Sequence, residues 1–170
     1  RLFCFERHMD RLDRSLAEVR TPNPNTRDQW RQIATRLIAD YRHSTLGRGQ
    51  NESENPQDHL IYIQVTRGVA LREHVMPQNI TPTVFVLANA MTMPSAAQRS
   101  AGVACVTADD FRWEMAHIKS TSLLGSVFAR QISFDAGALE TVMFRHGFLS
   151  EAAASNVWVV KNGTVFGTPR

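Results

Sequence analysis

Residues 82–95 read Pro82-Thr83-Val84-Phe85-Val86-Leu87-Ala88-Asn89-Ala90-Met91-Thr92-Met93-Pro94-Ser95. The stretch through Ala90 is dense in β-branched and aromatic side chains and predicts a strand. From Met91 that pattern stops, and the Met-Pro-Ser ending is the candidate interdomain linker. The expected organisation is a small α/β lobe over 1–90, a linker over 91–95 and the first part of a larger α/β lobe over 96–170.

Upstream, Leu60–Thr66 predicts a second strand, and Leu2–Phe5 a short one. Met9, Leu12, Leu16 and Val19 recur in steps of three and four, the mark of one helical face. Thr21-Pro22-Asn23-Pro24 breaks that helix. Thr26 is the N-cap of the next, whose face is Trp30, Ile33, Leu37, Ile38 and Tyr41. Residues 47–59 carry no aliphatic or aromatic side chain and are expected to form an exposed loop. Downstream, Gly102–Ala108 predicts a strand. Ser120–Ala136 predicts a helix with Leu123, Leu124, Val127, Phe128 and Ile132 on one side. Ala138–Phe144 and Asn156–Val160 predict further strands. Arg145-His146-Gly147 and Asn162-Gly163 are hairpin turn signals. The order of elements gives a two-lobed α/β (α+β) fold.

The chain has 170 residues, 43% hydrophobic, with a net charge of +3. The excess of positive charge is small and dispersed, which argues against a nucleic-acid binder. No run reaches the roughly 20 apolar residues of a membrane-spanning helix. Cys4 and Cys105 are too few for a disulfide scaffold and fit no metal spacing. With no signal peptide in view, the cytoplasm is the expected compartment. The chain opens on Arg1 within an apolar run and closes just after a strand pattern, so it reads as part of a longer protein.

A few residues carry chemistry. Lys119, one of two lysines, lies between an apolar stretch and a helix start. A desolvated lysine loses its proton more readily and becomes a nucleophile, whereas a lysine at a helix start is commonly only a surface charge. Arg72 and His74 share one face of an extended segment and could grip a carboxylate, or simply belong to a polar loop. Glu151 precedes Ala152-Ala153-Ala154-Ser155-Asn156, small side chains that let a flat ligand approach the backbone or let a tight loop pack. Arg11 lies at the margin of the first helical face, where it reaches inward or snorkels over the core edge.

Four segments together resemble one family. His8-Met9-Asp10-Arg11-Leu12 resembles the HxDRL element of class IV (fold-type IV) aminotransferases. Gln64–His74, QVTRGVALREH, is similar to a segment of their D-amino-acid aminotransferase branch. Asp110-Phe111-Arg112-Trp113 with Ile118-Lys119-Ser120 resembles the segment of the cofactor lysine. Leu149–Val157, LSEAAASNV, is similar to the signature on the cofactor's ring side. The resemblance covers nearly the whole chain. It implies a two-lobed fold-type IV enzyme, incomplete here. The family's first strands, with a carboxylate-binding tyrosine, and the later part of the second lobe, with the rest of the phosphate cup, have no counterpart in these residues.

The resemblance also implies chemistry. The cofactor is pyridoxal 5′-phosphate, bound as a Schiff base on Lys119. Glu151 sits at the pyridine nitrogen, Arg11 at the phosphate, and Ser155 and Asn156 in the cofactor loop. Arg72 and His74 take the substrate carboxylate. Ala154 stands near the substrate, where the branch more often has serine. The expected reaction moves the amino group of a D-alanine-like amino acid to a 2-oxoglutarate-like 2-oxo acid, with no metal, in a homodimer. The alternatives are another class IV enzyme (aminodeoxychorismate lyase, branched-chain or amine transaminase) or an inactive fragment.

Overall fold

The computed structural model describes residues 1–44, 58–71, 75–112 and 117–168. Its contacts divide into two compact units, Arg1–Met93 and Pro94–Arg170.

In the first unit, α1 (Phe5–Glu18) buries Met9 and Leu16, and α2 (Arg27–His43) buries Trp30 and Ala34. Leu2–Phe5 forms no strand. Cys4 takes a left-handed backbone (φ 47°) and its carbonyl accepts the His8 amide, which turns the chain directly into α1. Thr26 caps α2 as expected, with Gln29 closing the reciprocal half of a capping box. Glu6, Asp10 and Asp13 of α1 face Arg27, and Arg31 also pairs with Glu6. These pairs are solvent-exposed, so they align the helices more than they stabilise them.

β1 (His59–Thr66) and β2 (Thr83–Ala90) pair antiparallel from His59↔Ala90 to Thr66↔Thr83. Tyr41 ties α2 to the open end of this ribbon: its hydroxyl accepts the Ala90 amide at 3.3 Å and its ring meets His59 edge-on. The expected loop at 47–59 lies mostly outside the described residues, and His59 already belongs to β1. Gly68, just after β1, has φ +128°, and a Cβ there would stand 2.2 Å from the Thr81 carbonyl oxygen. Gly68→Ala should therefore destabilise this unit by about 2 kcal/mol or more, read from a lower urea midpoint.

The second unit holds α3 (Ala96–Ala101), β3 (Cys105–Asp109), α4 (Leu124–Asp135), β4 (Glu140–Arg145), β5 (Phe148–Ala152), β6 (Trp158–Lys161) and β7 (Thr164–Gly167). The sheet order is β3-β4-β5. β3 and β4 run parallel with α4 as their crossover, and β4 and β5 form a hairpin. His146-Gly147 and Asn162-Gly163 turn the two hairpins with positive φ at both central residues.

Two expectations need correction. The helix begins at Leu124, not Ser120, because Ser120 Oγ accepts the Ser122 amide and Thr121 O accepts that of Leu123. Such local bonds compete with helix. The face α4 buries is also not the large apolar one. Ala129 and Ser133 are buried, while Leu124 and Phe128 are 67% and 57% exposed. Small side chains let the helix come close enough for Thr141 Oγ1 to donate to Ala129 O at 2.6 Å.

Candidate active site

β3 ends at Asp109, and the next residues build an ion pair at the edge of the sheet. Asp110 is nearly enclosed, with 2% of its side chain exposed. Arg112 donates to it from Nε and Nη2, each at 3.0 Å. The same guanidinium sends Nη1 to Glu151 Oε2 at 2.8 Å. Arg145 closes the far side, 3.3 Å from Asp110 and 2.9 Å from the Arg112 carbonyl.

A bulge brings β5 to this pair. Register shifts between Met143 and Phe144, so that Met143 faces Glu151 while Phe144 faces Leu149. Consecutive side chains on a regular strand point to opposite faces. Here Ser150, the extra residue, lies 2.9 Å from Asp110 Oδ2, and Glu151 beside it meets Arg112. The bulge aims two neighbouring side chains at one cluster.

Burial alone would raise the pKa of Asp110. The bonds from Arg112 and Ser150 outweigh it and hold the carboxyl well below the usual aspartate range. Stability from such a group is full above its unfolded pKa near 4 and is lost as pH falls toward the folded value. Asp110→Asn should cost about 2 kcal/mol at pH 7. The gap to wild type, measured by urea unfolding, should narrow as pH drops from about 5 to 3.

The expected site residues are distributed as follows. Glu151 is half-buried; Arg112 fixes Oε2, and Oε1 has no partner among the described residues. Ala154, Ser155 and Asn156 follow in an exposed turn, whose Ser155 hydroxyl donates to Glu140 at 2.7 Å. Lys119 is exposed, with buried Ile118 before it and no hydrogen-bond or ion-pair partner among the described residues. Lys119 is read from sequence beside apolar residues in 113–116, which lie outside the described residues. Its segment leads into α4, where a Cβ on Gly125 would stand 3.1 Å from Arg112 Cγ. The chain from Lys119 thus runs onto the side chain that holds Glu151. Arg11 is exposed on α1 in the other unit, with Nη2 3.3 Å from His8 Nδ1. Arg72 and His74 lie outside the described residues.

Sequence reading missed Arg112, Asp110, Ser150 and Glu140 as site-building residues. Asp110 and Arg112 were legible as an acid–base pair two apart at a strand end. Glu140 was legible as a charge opening an apolar strand.

Two hollows of the first unit hold none of these residues. One, of about 440 Å³, is lined by Arg20, Arg67, Met76 and Ile80. Arg67 is committed there to the carbonyls of Val19 and Arg20, where its charge offsets the C-terminal end of α1.

The family model for amino-transferase class IV matches residues 1–170. The chain belongs to the class IV aminotransferases. It is 30% identical over 168 residues to a D-alanine aminotransferase of Bacillus licheniformis, covering 99% of this chain and 54% of that protein. Among solved structures, it is similar to the branched-chain amino acid aminotransferase of Escherichia coli. That match has a TM-score of 0.77 at 19% identity, over 97% of this chain and 52% of the other. A putative 4-amino-4-deoxychorismate lyase from Legionella pneumophila matches at 0.76 and 14% identity, over 96% and 56%. At these identities the solved structures show a shared fold and do not separate transaminase from lyase. The chain spans about half the length of the curated relatives it matches.

Class IV aminotransferases are pyridoxal-phosphate enzymes. The residues of the second unit fit that group. Among the described residues, a carboxylate has one oxygen fixed and one free, an amine is without a partner, and the turn beyond β5 is built of small side chains. Among the described residues there is no cluster suited to a metal ion, and no helix is long and apolar enough to cross a membrane.

Proposed function

We propose that the protein containing this chain is a pyridoxal-phosphate-dependent transaminase that moves the amino group of a D-alanine-like D-amino acid to a 2-oxoglutarate-like 2-oxo acid. When bound, the cofactor supplies an electron sink for the carbanion at the substrate's α-carbon. In this reading Lys119 Nζ would hold the cofactor and, once displaced by the substrate's amine, would take the proton from that carbon as general base. Glu151 would hold the ring nitrogen, with Arg112 fixing Oε2. Arg11 binds the phosphate, Arg72 and His74 the substrate carboxylate, and Ser155 and Asn156 line the cofactor loop. Ala154 leaves a methyl group on the substrate side. The resemblance extends the proposal to a cytoplasmic homodimer.

One observation carries the reading: Glu151 is presented by a bulge and a buried ion pair with one carboxylate oxygen free. The D-alanine aminotransferase relatives favour the D-amino-acid substrate. The test is to add pyridoxal phosphate to the intact protein, reduce with borohydride and digest. A pyridoxyl mass on the Lys119 peptide is expected, and its absence overturns the assignment. Pyruvate should form from D-alanine with 2-oxoglutarate. Turnover of L-branched-chain substrates alone would replace the D-amino-acid reading by a branched-chain one.

A further inference from the structure

Glu140 is a buried carboxylate that the proposed chemistry leaves unused. It opens β4, and its oxygens take three donors. Oε1 accepts the Thr141 amide at 2.8 Å; Oε2 accepts Ser155 Oγ at 2.7 Å and the Ala154 amide at 3.3 Å. The β4–β5 ladder ends at Val142↔Ala152, with one further bond from the Ala153 amide to Thr141 O. Beyond that point Glu140 is what ties the turn to the sheet. Burial would raise its pKa, but the bonds from Ser155, Thr141 and Ala154 bring it below the ordinary glutamate value. Glutamine could not replace it, because its NH₂ would aim donors at donors.

A hydroxyl has one proton. Ser155 places that proton on Glu140, so only its lone pairs remain for any other group. We propose that Glu140 is a positioning residue that clamps the turn at Ala154 and Ser155 in the conformation that receives the cofactor. Ser155 then acts as the anchor of that turn and not as a proton donor to the cofactor's phosphate. The inference rests on the functional reading above, in which this turn is the cofactor loop.

The test titrates pyridoxal phosphate into apoprotein of the intact wild type, Glu140→Gln, Ser155→Ala and the double variant, following visible absorbance. Each single change should weaken binding about tenfold. The double variant should bind no more weakly than Glu140→Gln, because Ser155 acts through its bond to Glu140. Effects that multiply would mean Ser155 serves the cofactor independently, and would overturn the proposal. Wild-type affinity in Glu140→Gln would overturn it too. Wild-type protein that takes up no pyridoxal phosphate overturns the functional reading and this inference with it. Hydrogen–deuterium exchange of the apoprotein gives a readout free of ligand and of the Glu140 variant's ability to fold. Ser155→Ala should speed exchange in the peptide covering 153–156 and leave β3 and β4 unchanged; unchanged exchange at 153–156 overturns the clamp.

Discussion

Lys119→Ala should lower D-alanine transamination by the intact protein about 10⁴-fold or more, since the proposed function gives this one amine both the attachment of the cofactor and the role of base at the substrate α-carbon. The same substitution should leave folding nearly untouched. Lys119 is exposed and has no ion pair or hydrogen bond among the described residues, and changes at such positions shift stability by about 0.5 kcal/mol or less. Pyruvate formation and the urea midpoint, measured on one preparation, separate the two effects. Lost turnover with an unchanged midpoint is the expected pattern. Turnover that survives would remove Lys119 from the chemistry.

Arg112→Ala has the largest expected effect on stability. Asp110 has 2% of its side chain exposed and depends on this guanidinium for two bonds. Arg145 and Ser150 still reach Asp110, so losing the nearer guanidinium should cost about 3 kcal/mol, the low end for a broken buried pair. Glu151 loses its orienting donor in the same step. A compensated variant tells the two losses apart. Asp110→Asn with Arg112→Met leaves no enclosed charge, only the part-exposed Arg145 and Glu151 without these partners, so most of the stability should return. Affinity for pyridoxal phosphate should stay low, because Oε2 of Glu151 is still unheld. Recovery of both together would mean that Arg112 matters only for folding.

The lobes differ in how far local pattern foretold them. The N-cap at Thr26 and the turns at His146-Gly147 and Asn162-Gly163 depend on residues close in sequence. Backbone preferences act over that range, and these features form where the pattern places them. Phe148–Ala152 was not legible as a strand, since it is short and becomes one only by pairing across a turn. For α4 the apolar stripe pointed to the wrong face. Periodicity reports which side chains are greasy, whereas contact with β4 is decided by which are small enough for close approach.

The candidate site divides the same way. Lys119, Glu151, Ser155 and Asn156 could be named from the chain because motif spacing survives in one dimension. That Glu151 shares a guanidinium with Asp110 could not. The pair is separated by about forty positions, and the bulge that turns Ser150 and Glu151 toward one cluster exists only once β4 and β5 are in register. The amino-acid order determined the family, the kinds of chemical group available and the local turns. Tertiary structure decided which carboxylate is enclosed, which of its neighbour's oxygens Arg112 fixes and which hydroxyl has its O–H committed to a carboxylate, because those depend on long-range pairing that brings distant charges within hydrogen-bond reach.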